Sequence, residues 1–349
     1  MLRKLPYRLA FLIATAMLPL TVQAERVYVS NEDGESVTVL DAHSGSTVAE
    51  VPVGKRPRGI KLSHDGKHLY VAVSGVPKCP PSVPDEECAK LKRDLQADGI
   101  AVIDTGSLKL VKLLKAGSDP EQFDLSPDGA RLFISNEDSA SVSVLNVATG
   151  ALEATIRVGN EPEGVRVSPN GKWVLVTNET GNSVTIIDAK TFAVQHTMSV
   201  GQRPRDVAFT PDSATIYVSG ELDASVSRAT VPKGEPVEKL IQLRQDDRPM
   251  GVVLDAKHNR LFVSTGRGGT VAVISLGDSL APTRGQQAKL VKEIAVGKRP
   301  WGIALSRDGT RLYTANGPSN DVSIIDTASL SVVKSVPVGS SPWGVAIGP

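Results

Sequence analysis

The 349-residue sequence is poor in the residue types on which many enzyme and metal sites depend, with two cysteines and five histidines. It contains no C-x-x-C-H haem-attachment motif, no H-E-x-x-H zinc motif, no G-x-S-x-G nucleophile motif and no phosphate-binding P-loop. Aromatic residues make up 4% and the formal net charge is +1, which argues against a nucleic-acid-binding surface. We therefore expect a protein that is not an enzyme and that has no cofactor and no bound metal.

The first 24 residues have the features of a cleaved export signal. A basic start precedes the apolar run Leu9–Leu20, and Val22-Gln23-Ala24 places small residues at the cleavage positions. A membrane anchor is the alternative, although the run is short for a bilayer span of about 20 residues. We expect cleavage after Ala24, a periplasmic or secreted location and no membrane span in the mature chain.

The mature chain repeats a unit of about 42 residues that contains a G-x-x-P element. The Gly/Pro pairs are Gly54/Pro57, Gly117/Pro120, Gly159/Pro162, Gly201/Pro204, Gly297/Pro300 and Gly339/Pro342. A degenerate copy, Asp246-Asp247-Arg248-Pro249, fills the remaining gap. Each unit holds four short β-rich segments separated by turn sequences such as Ser126-Pro127-Asp128-Gly129. Four strands at this period are typical of a β-propeller blade.

The two ends of the chain predict how the propeller closes. The N-terminal part has only three strands, Arg26–Ser30, Ser36–Asp41 and Thr47–Val53, while Gly344–Ile347 is a surplus strand at the C-terminal end. Pairing the surplus strand with the first three completes a blade and leaves no open edge between the ends. We predict an all-β fold in which residues 1–24 are a signal peptide and residues 25–349 form one seven-bladed β-propeller of four antiparallel strands per blade.

The second strand of the unit carries a family resemblance. It reads Tyr28-Val29-Ser30-Asn31, Phe133-Ile134-Ser135-Asn136 and Leu175-Val176-Thr177-Asn178 in three units. These strands, together with the P-x-G pattern that begins at the repeat proline, as in Pro162-Glu163-Gly164, resemble the YVTN β-propeller family. The exported seven-repeat layout also resembles propellers associated with pyrroloquinoline-quinone (PQQ)-dependent alcohol catabolism and a neighbouring transport system. The resemblance implies an accessory binding or scaffold protein whose partner is a periplasmic dehydrogenase or transport component.

The loops that enter the innermost strands are expected to surround the central funnel. The residues after each repeat proline are Arg58, Glu121, Glu163, Arg205, Met250, Trp301 and Trp343. Four arginines precede the proline: Arg56, Arg203, Arg248 and Arg299. Arginines hold carboxylates and tryptophans offer flat contact surfaces, so we interpret this ring as a funnel-mouth site for a protein partner or a small polar-aromatic ligand. The alternative is a structural ring in which Arg and Glu pair across blades and Trp covers the rim.

An insertion at residues 74–97 follows the second strand of the second blade. It contains both cysteines, Cys79 and Cys88, and a helical candidate at Glu86–Leu95. In an exported protein such a cysteine pair favours a disulfide, with two free thiols or half of a metal site as alternatives. The insertion is expected on the same face as the ring, so we hypothesise a disulfide-pinned flap beside the funnel rather than a tolerated surface excursion.

Glu121 and Glu163 support one enzymatic alternative. Paired carboxylates at a funnel mouth can bind a divalent metal, as in lactonase-like seven-bladed propellers. Arg58 and Arg205 lie nearby in the ring and would oppose the charge of a metal ion. The sequence therefore favours a binding protein over a metal-dependent lactone hydrolase.

Overall fold

The computed structural model describes residues 25–78, 83, 85–88, 90–234, 236–277 and 288–348. In these residues, 28 β-strands form seven four-stranded antiparallel sheets. The predicted signal peptide and Cys79 lie outside the described residues. Within the described ranges, no helix has the length and hydropathy of a transmembrane span.

Each sheet is one blade of a propeller. Blade 1 begins with β1 (Arg26–Asn31), β2 (Ser36–Asp41) and β3 (Thr47–Pro52). Blade 2 contains β4 (Ile60–Leu62), β5 (His68–Val73), β6 (Gly99–Asp104) and β7 (Lys109–Leu114), and blade 3 contains β8 (Pro120–Leu125), β9 (Arg131–Asn136), β10 (Ser141–Asn146) and β11 (Leu152–Arg157). Blade 4 contains β12 (Pro162–Val167), β13 (Trp173–Asn178), β14 (Ser183–Asp188) and β15 (Val194–Ser199), and blade 5 contains β16 (Pro204–Phe209), β17 (Thr215–Gly220), β18 (Ser225–Thr230) and β19 (Glu238–Gln242). Blade 6 contains β20 (Val252–Asp255), β21 (Arg260–Ser264), β22 (Thr270–Ser275) and β23 (Lys289–Ala295), and blade 7 contains β24 (Pro300–Leu305), β25 (Arg311–Asn316), β26 (Asp321–Asp326) and β27 (Ser331–Pro337).

The last strand, β28 (Pro342–Gly348), completes blade 1. It pairs antiparallel with β1, with Val345 opposite Val29 and Ala346 opposite Tyr28, and gives the strand order β28-β1-β2-β3. Because strands from both ends of the chain share this sheet, the first and last blades leave no open edge between them. The predicted seven-bladed fold and its closure are confirmed.

The hydrophobic core lies between neighbouring blades. The middle strands are apolar and buried on both faces, as β5 shows with five consecutive buried residues after His68. Between blades 1 and 2, Tyr28 and Val39 pack in the same cluster as Val71 and Ile103. The outermost strands alternate and are mostly exposed, since only one of their faces meets another blade.

Hydrogen bonds between blades fix the residues at the funnel mouth. In five of the seven blades, a serine or threonine near the end of the second strand donates its hydroxyl to the carbonyl of the post-proline residue in the next blade. These bonds include Ser30 Oγ to Arg58 O (2.6 Å), Ser135 Oγ to Glu163 O (2.6 Å), Ser219 Oγ to Met250 O (2.5 Å) and Ser264 Oγ to Trp301 O (2.6 Å). The repeated Ser or Thr therefore holds the ring in place from one blade to the next.

The residue before each repeat proline adopts a left-handed backbone conformation. These residues are Arg56, Asp119, Glu161, Arg203, Arg248, Arg299 and Ser341, with φ between 42 and 56°. Non-glycine residues rarely adopt such a φ, and its recurrence in all seven blades identifies it as part of the repeat. The turn sets the direction in which the chain enters each innermost strand and so places the residues on both sides of the proline at the mouth.

In the described part of the insertion in blade 2, regular structure is limited to one short helix. The helix predicted over Glu86–Leu95 is wrong in extent: it is observed only as α1 (Asp85–Cys88). The segment after it is held by side chains instead, with Lys55 Nζ 2.8 Å from Asp94 and an ion pair between Arg93 and Asp138. The predicted disulfide depends on Cys79 and stays a prediction.

Candidate functional site

A central cavity of about 700 Å3 runs along the innermost strands, and its lining extends to the turns at their far ends, such as Ser63 and Ser306. At the mouth end, five of the seven post-proline residues line it: Glu163, Arg205, Met250, Trp301 and Trp343. The structure thus brings the predicted ring together around the axis. The ring is mostly buried, and Glu163 is only 1% exposed.

A second ring of carboxylates, which the sequence reasoning missed, meets the first. Its members are Glu32, Glu137, Glu179 and Glu221, each directly after the last residue of the second strand of its blade. At three of these positions the strand ends in Asn and the next residue is Glu, so a repeated Asn-Glu dipeptide in the sequence could have indicated this ring. Because the loop between the second and third strands opens on the same face as the proline loop, the repeat register alone could have located this ring.

Arg205 is the centre of one cluster of charges, which we call the Arg205 cluster. Its guanidinium forms ion pairs with Glu163 and Glu179, and its Nε donates to Glu221 Oε2 over 2.7 Å. Arg203 pairs with the other oxygen of Glu179 and lies 3.5 Å from Glu221. Three buried carboxyl groups thus share two guanidinium groups, and one of the three is expected to keep its proton.

The extra proton belongs to Glu163. Burial raises the pKa of Glu163 well above its usual value, and the nearby Glu179 raises it further against the effect of Arg205. Burial also raises the pKa of Glu179, but Arg205, the hydrogen bond from Glu163 and Arg203 together bring it below its usual value. Glu163 therefore donates a hydrogen bond to the Glu179 carboxylate. Its other oxygen, Oε1, is buried and has no hydrogen-bond partner.

Arg58 is the centre of a similar cluster on the neighbouring blades. It forms an ion pair with Asp119 and lies 3.3 Å from Glu121 and 3.4 Å from Glu137. Burial raises the pKa of Glu121 to about 7, while the charge of Glu121, followed by burial, raises the pKa of Glu137. Two carboxyl pairs of this kind, each beside an arginine, stand next to one another at the mouth.

The aromatic part of the ring is covered rather than open. The ring centres of Trp301 and Trp343 are 5.5 Å apart and their planes are tilted by 32°. Arg205 and Arg299 lie over Trp301, 5.5 and 4.8 Å from its ring centre. Trp343 is only 5% exposed, so it offers no free stacking surface. The pairing of Arg with Glu and the covering of the rim by Trp, left open by the sequence, are both present.

The mouth residues fit a metal ion poorly. Glu121 and Glu163 each contact an arginine, as the sequence suggested, and the described residues contain no group of three or more His, Cys, Asp or Glu side chains arranged to hold a metal. A hard cation requires several oxygen ligands without competing positive charge. No catalytic step is therefore derived through a metal.

Comparison with known proteins finds partial matches to two β-propeller family models and to one curated relative. A family model for "Lactonase, 7-bladed beta-propeller" matches residues 23–167, and one for a YNCE-like beta-propeller matches residues 127–224. Each covers less than half of the chain. A curated relative, Antigen Lp49 of Leptospira interrogans, is 34% identical over 111 residues, which are 32% of this chain and 23% of the relative. The chain thus spans about a quarter of that relative's length.

Solved structures share the fold at low identity. The periplasmic gluconolactonase of Pseudomonas aeruginosa is 20% identical with a TM-score of 0.72, and covers 94% of this chain and 99% of its own. Hydrazine synthase of Kuenenia stuttgartiensis is 23% identical with a TM-score of 0.73, and covers 86% of this chain and 92% of its own. At such identities the likeness shows the fold alone.

The lactonase-model match corrects two expectations from the sequence. The expectation of an accessory binding or scaffold protein is wrong, and so is the expectation that the chain is not an enzyme, since the family-model match favours the lactone-hydrolase alternative. The physical reason is that the sequence carries no linear motif for this chemistry. The buried carboxyl groups Glu163 and Glu179 come from two separate loops of blade 4, and Arg205 of blade 5 meets them only in the folded ring.

Proposed function

We propose that the protein hydrolyses a lactone at the Arg205 cluster. The observation that carries the proposal is Glu163, a carboxyl group that shares a proton with Glu179, contacts Arg205, lines the central cavity and has a buried Oε1 atom without a hydrogen-bond partner. A carboxyl pair that shares one proton can accept a proton from water and return it to a leaving group. The partial match to a lactonase family model supports the same chemistry.

In the first step, a water molecule attacks the lactone carbonyl carbon and gives a proton to Glu163 Oε1. The proton that Glu163 already holds passes to Glu179, so the pair acts as one general base. A bond forms between the water oxygen and the carbonyl carbon, and the carbonyl electrons move to its oxygen. The positive charge of Arg205 stabilises this oxyanion.

In the second step, the bond between the carbonyl carbon and the ring oxygen breaks. The ring oxygen takes the proton from Glu163 Oε1, and Glu179 returns its proton to the other oxygen of Glu163. The product is an open-chain hydroxy acid, and the carboxyl pair ends in its starting state. Water and the lactone are the only reactants consumed.

Replacing Glu163 by glutamine tests this role. Glu163→Gln preserves the size of the side chain and removes the proton relay, so we expect kcat for glucono-δ-lactone to fall by about 10²–10⁴-fold with little change in KM. Glu153→Gln on the outer strand of blade 3, where Glu153 pairs with Arg131, is the matched control and should keep full activity. Circular dichroism verifies the fold of both variants. Unchanged turnover by Glu163→Gln would reject the relay.

Three further points are predictions that rest on the sequence alone. Export with cleavage after Ala24 would place the enzyme in the periplasm or outside the cell, and the YVTN-type repeat label stays a prediction. A periplasmic protein partner also stays a prediction.

A further inference from the structure

Three arginines at the funnel mouth have no carboxylate partner. Arg248 precedes the proline of blade 6, Arg299 precedes that of blade 7, and Arg267 lies in the loop between β21 and β22. Among the residues that the structure describes, no carboxylate lies within ion-pair distance of any of the three. Arg267 and Arg299 are exposed and Arg248 is half-buried.

The equivalent arginines of other blades are neutralised. Arg56 Nε lies 3.1 Å from Glu32, and Arg203 forms an ion pair with Glu179. In both cases the glutamate follows the second strand of the preceding blade. In these two cases the repeat pairs a pre-proline arginine with the second-ring glutamate of the preceding blade.

Blades 6 and 7 lack the second carboxylate ring and have glycine in its place. Gly266 and Gly317 occupy the position that Glu179 occupies in blade 4. A Cβ atom on Gly266 would lie 2.8 Å from the carbonyl oxygen of Arg248, and one on Gly317 would lie 3.9 Å from that of Arg299. By the register of Arg56 and Arg203, the partner of Arg299 would come from blade 6, where Gly266 stands, and Glu221, which precedes Arg248, is already engaged by Arg205.

The positive charge on this side of the mouth has no ion-pair partner among the described residues. Partial desolvation of the guanidinium lowers the pKa of Arg299, and although Glu221 opposes this, the neighbouring Arg205 and Arg267 lower it further. The Arg299 guanidinium also stacks on Trp301, which lines the cavity. Guanidinium groups near one another and partly removed from water bind oxyanions well, because a carboxylate or phosphate can accept two hydrogen bonds from each.

We propose that Arg248, Arg267 and Arg299 form a site for an oxyanion, a carboxylate or phosphate group carried by a small ligand that enters the funnel mouth. The site is distinct from the Arg205 cluster, whose guanidinium groups are already neutralised by carboxylates. It requires no hydrolysis, so it goes beyond the proposed function and can be tested apart from it.

Tryptophan fluorescence gives a direct readout, since Arg299 lies 4.8 Å from the Trp301 ring centre. The protein is titrated with inorganic phosphate in one arm and with malonate in the other, at constant ionic strength set with chloride. We expect a saturable change in emission with at least one of the two anions. Saturation by phosphate alone assigns a phosphate-bearing ligand, and saturation by malonate alone assigns a carboxylate-bearing one.

Variants locate the binding site. The double variant Arg248→Gln/Arg299→Gln and the single variant Arg267→Gln should each weaken binding about tenfold or more, since each removes charge-assisted hydrogen bonds. Arg157→Gln, at an exposed position on the outer strand of blade 3, removes the same charge elsewhere and should bind like the wild type. No saturable response to either anion, or the same affinity in the Arg267→Gln and wild-type proteins, would overturn the proposal. Neither result depends on lactone turnover.

Discussion

Single side chains at the funnel mouth act in combinations that no one blade contains. Arg205 belongs to blade 5, but two of its carboxylate partners, Glu163 and Glu179, belong to blade 4. The sequence located Glu163 and Arg205 by their place after the proline. Their protonation states depend on burial and on Glu179, which lies in another loop, and could not be inferred from spacing.

Glu121 should make the stability of the protein depend on pH. Its pKa is about 7 in the folded protein and near 4.5 when unfolded, so the folded state binds the proton more tightly. The free energy of unfolding should therefore fall as pH rises from about 4.5 to about 7, by up to about 3 kcal/mol from this group. Glu121→Gln cannot ionise and should reduce that fall.

Urea unfolding at pH 5 and pH 8 measures this effect. The wild type should lose more free energy of unfolding between the two values than Glu121→Gln does. Glu153→Gln serves as the control, because the hydrogen bond from Arg131 lowers the pKa of the exposed Glu153 and keeps its titration below this range. An equal loss in Glu121→Gln and the wild type would show that Glu121 does not hold its proton in the folded state.

At the scale of the element, the innermost strands pack so closely that glycine is needed two residues after the proline. In five blades a Cβ atom there would lie within about 3 Å of the post-proline carbonyl oxygen of the next blade. The five glycines are Gly59, Gly164, Gly251, Gly302 and Gly344. The P-x-G pattern read from the sequence is therefore a packing requirement that also positions the ring.

Gly302→Ala tests this requirement. The added Cβ would lie 2.5 Å from Trp343 O and 2.8 Å from Gly344 Cα, and backbone atoms of β28 cannot easily move aside. We expect a loss of about 1–3 kcal/mol in the free energy of unfolding, measured by urea denaturation.

Gly106→Ala is the matched control for this substitution. Its Cβ would meet only Asp104 Oδ1, at 3.5 Å, and it should leave stability nearly unchanged. Equal unfolding midpoints for Gly302→Ala and Gly106→Ala would show that the blades separate at the mouth more easily than the structure implies.

At the scale of the whole molecule, the fold was predictable from the sequence, whereas the candidate site was predictable only in part. Because the unit is repeated seven times, each strand and turn could be identified from several copies. The N-terminal part has only three strands before the first full unit, and this predicted that β28 completes blade 1. The insertion occurs once, so its predicted helix had no such support and ended at Cys88. The second carboxylate ring could be predicted only by aligning the equivalent loops of different blades. The same holds for the two glycines that interrupt this ring, Gly266 and Gly317.

Lactone opening by the wild-type protein is the most direct test of the account. Purified protein is treated with a chelator, dialysed and mixed with glucono-δ-lactone near pH 7, and acid release is followed by pH-stat against the spontaneous rate. We predict hydrolysis well above that rate and unchanged by the chelator, because the carboxyl pair and Arg205 supply the catalysis. A rate equal to that of buffer, or one that appears only on addition of a divalent metal, would contradict the account.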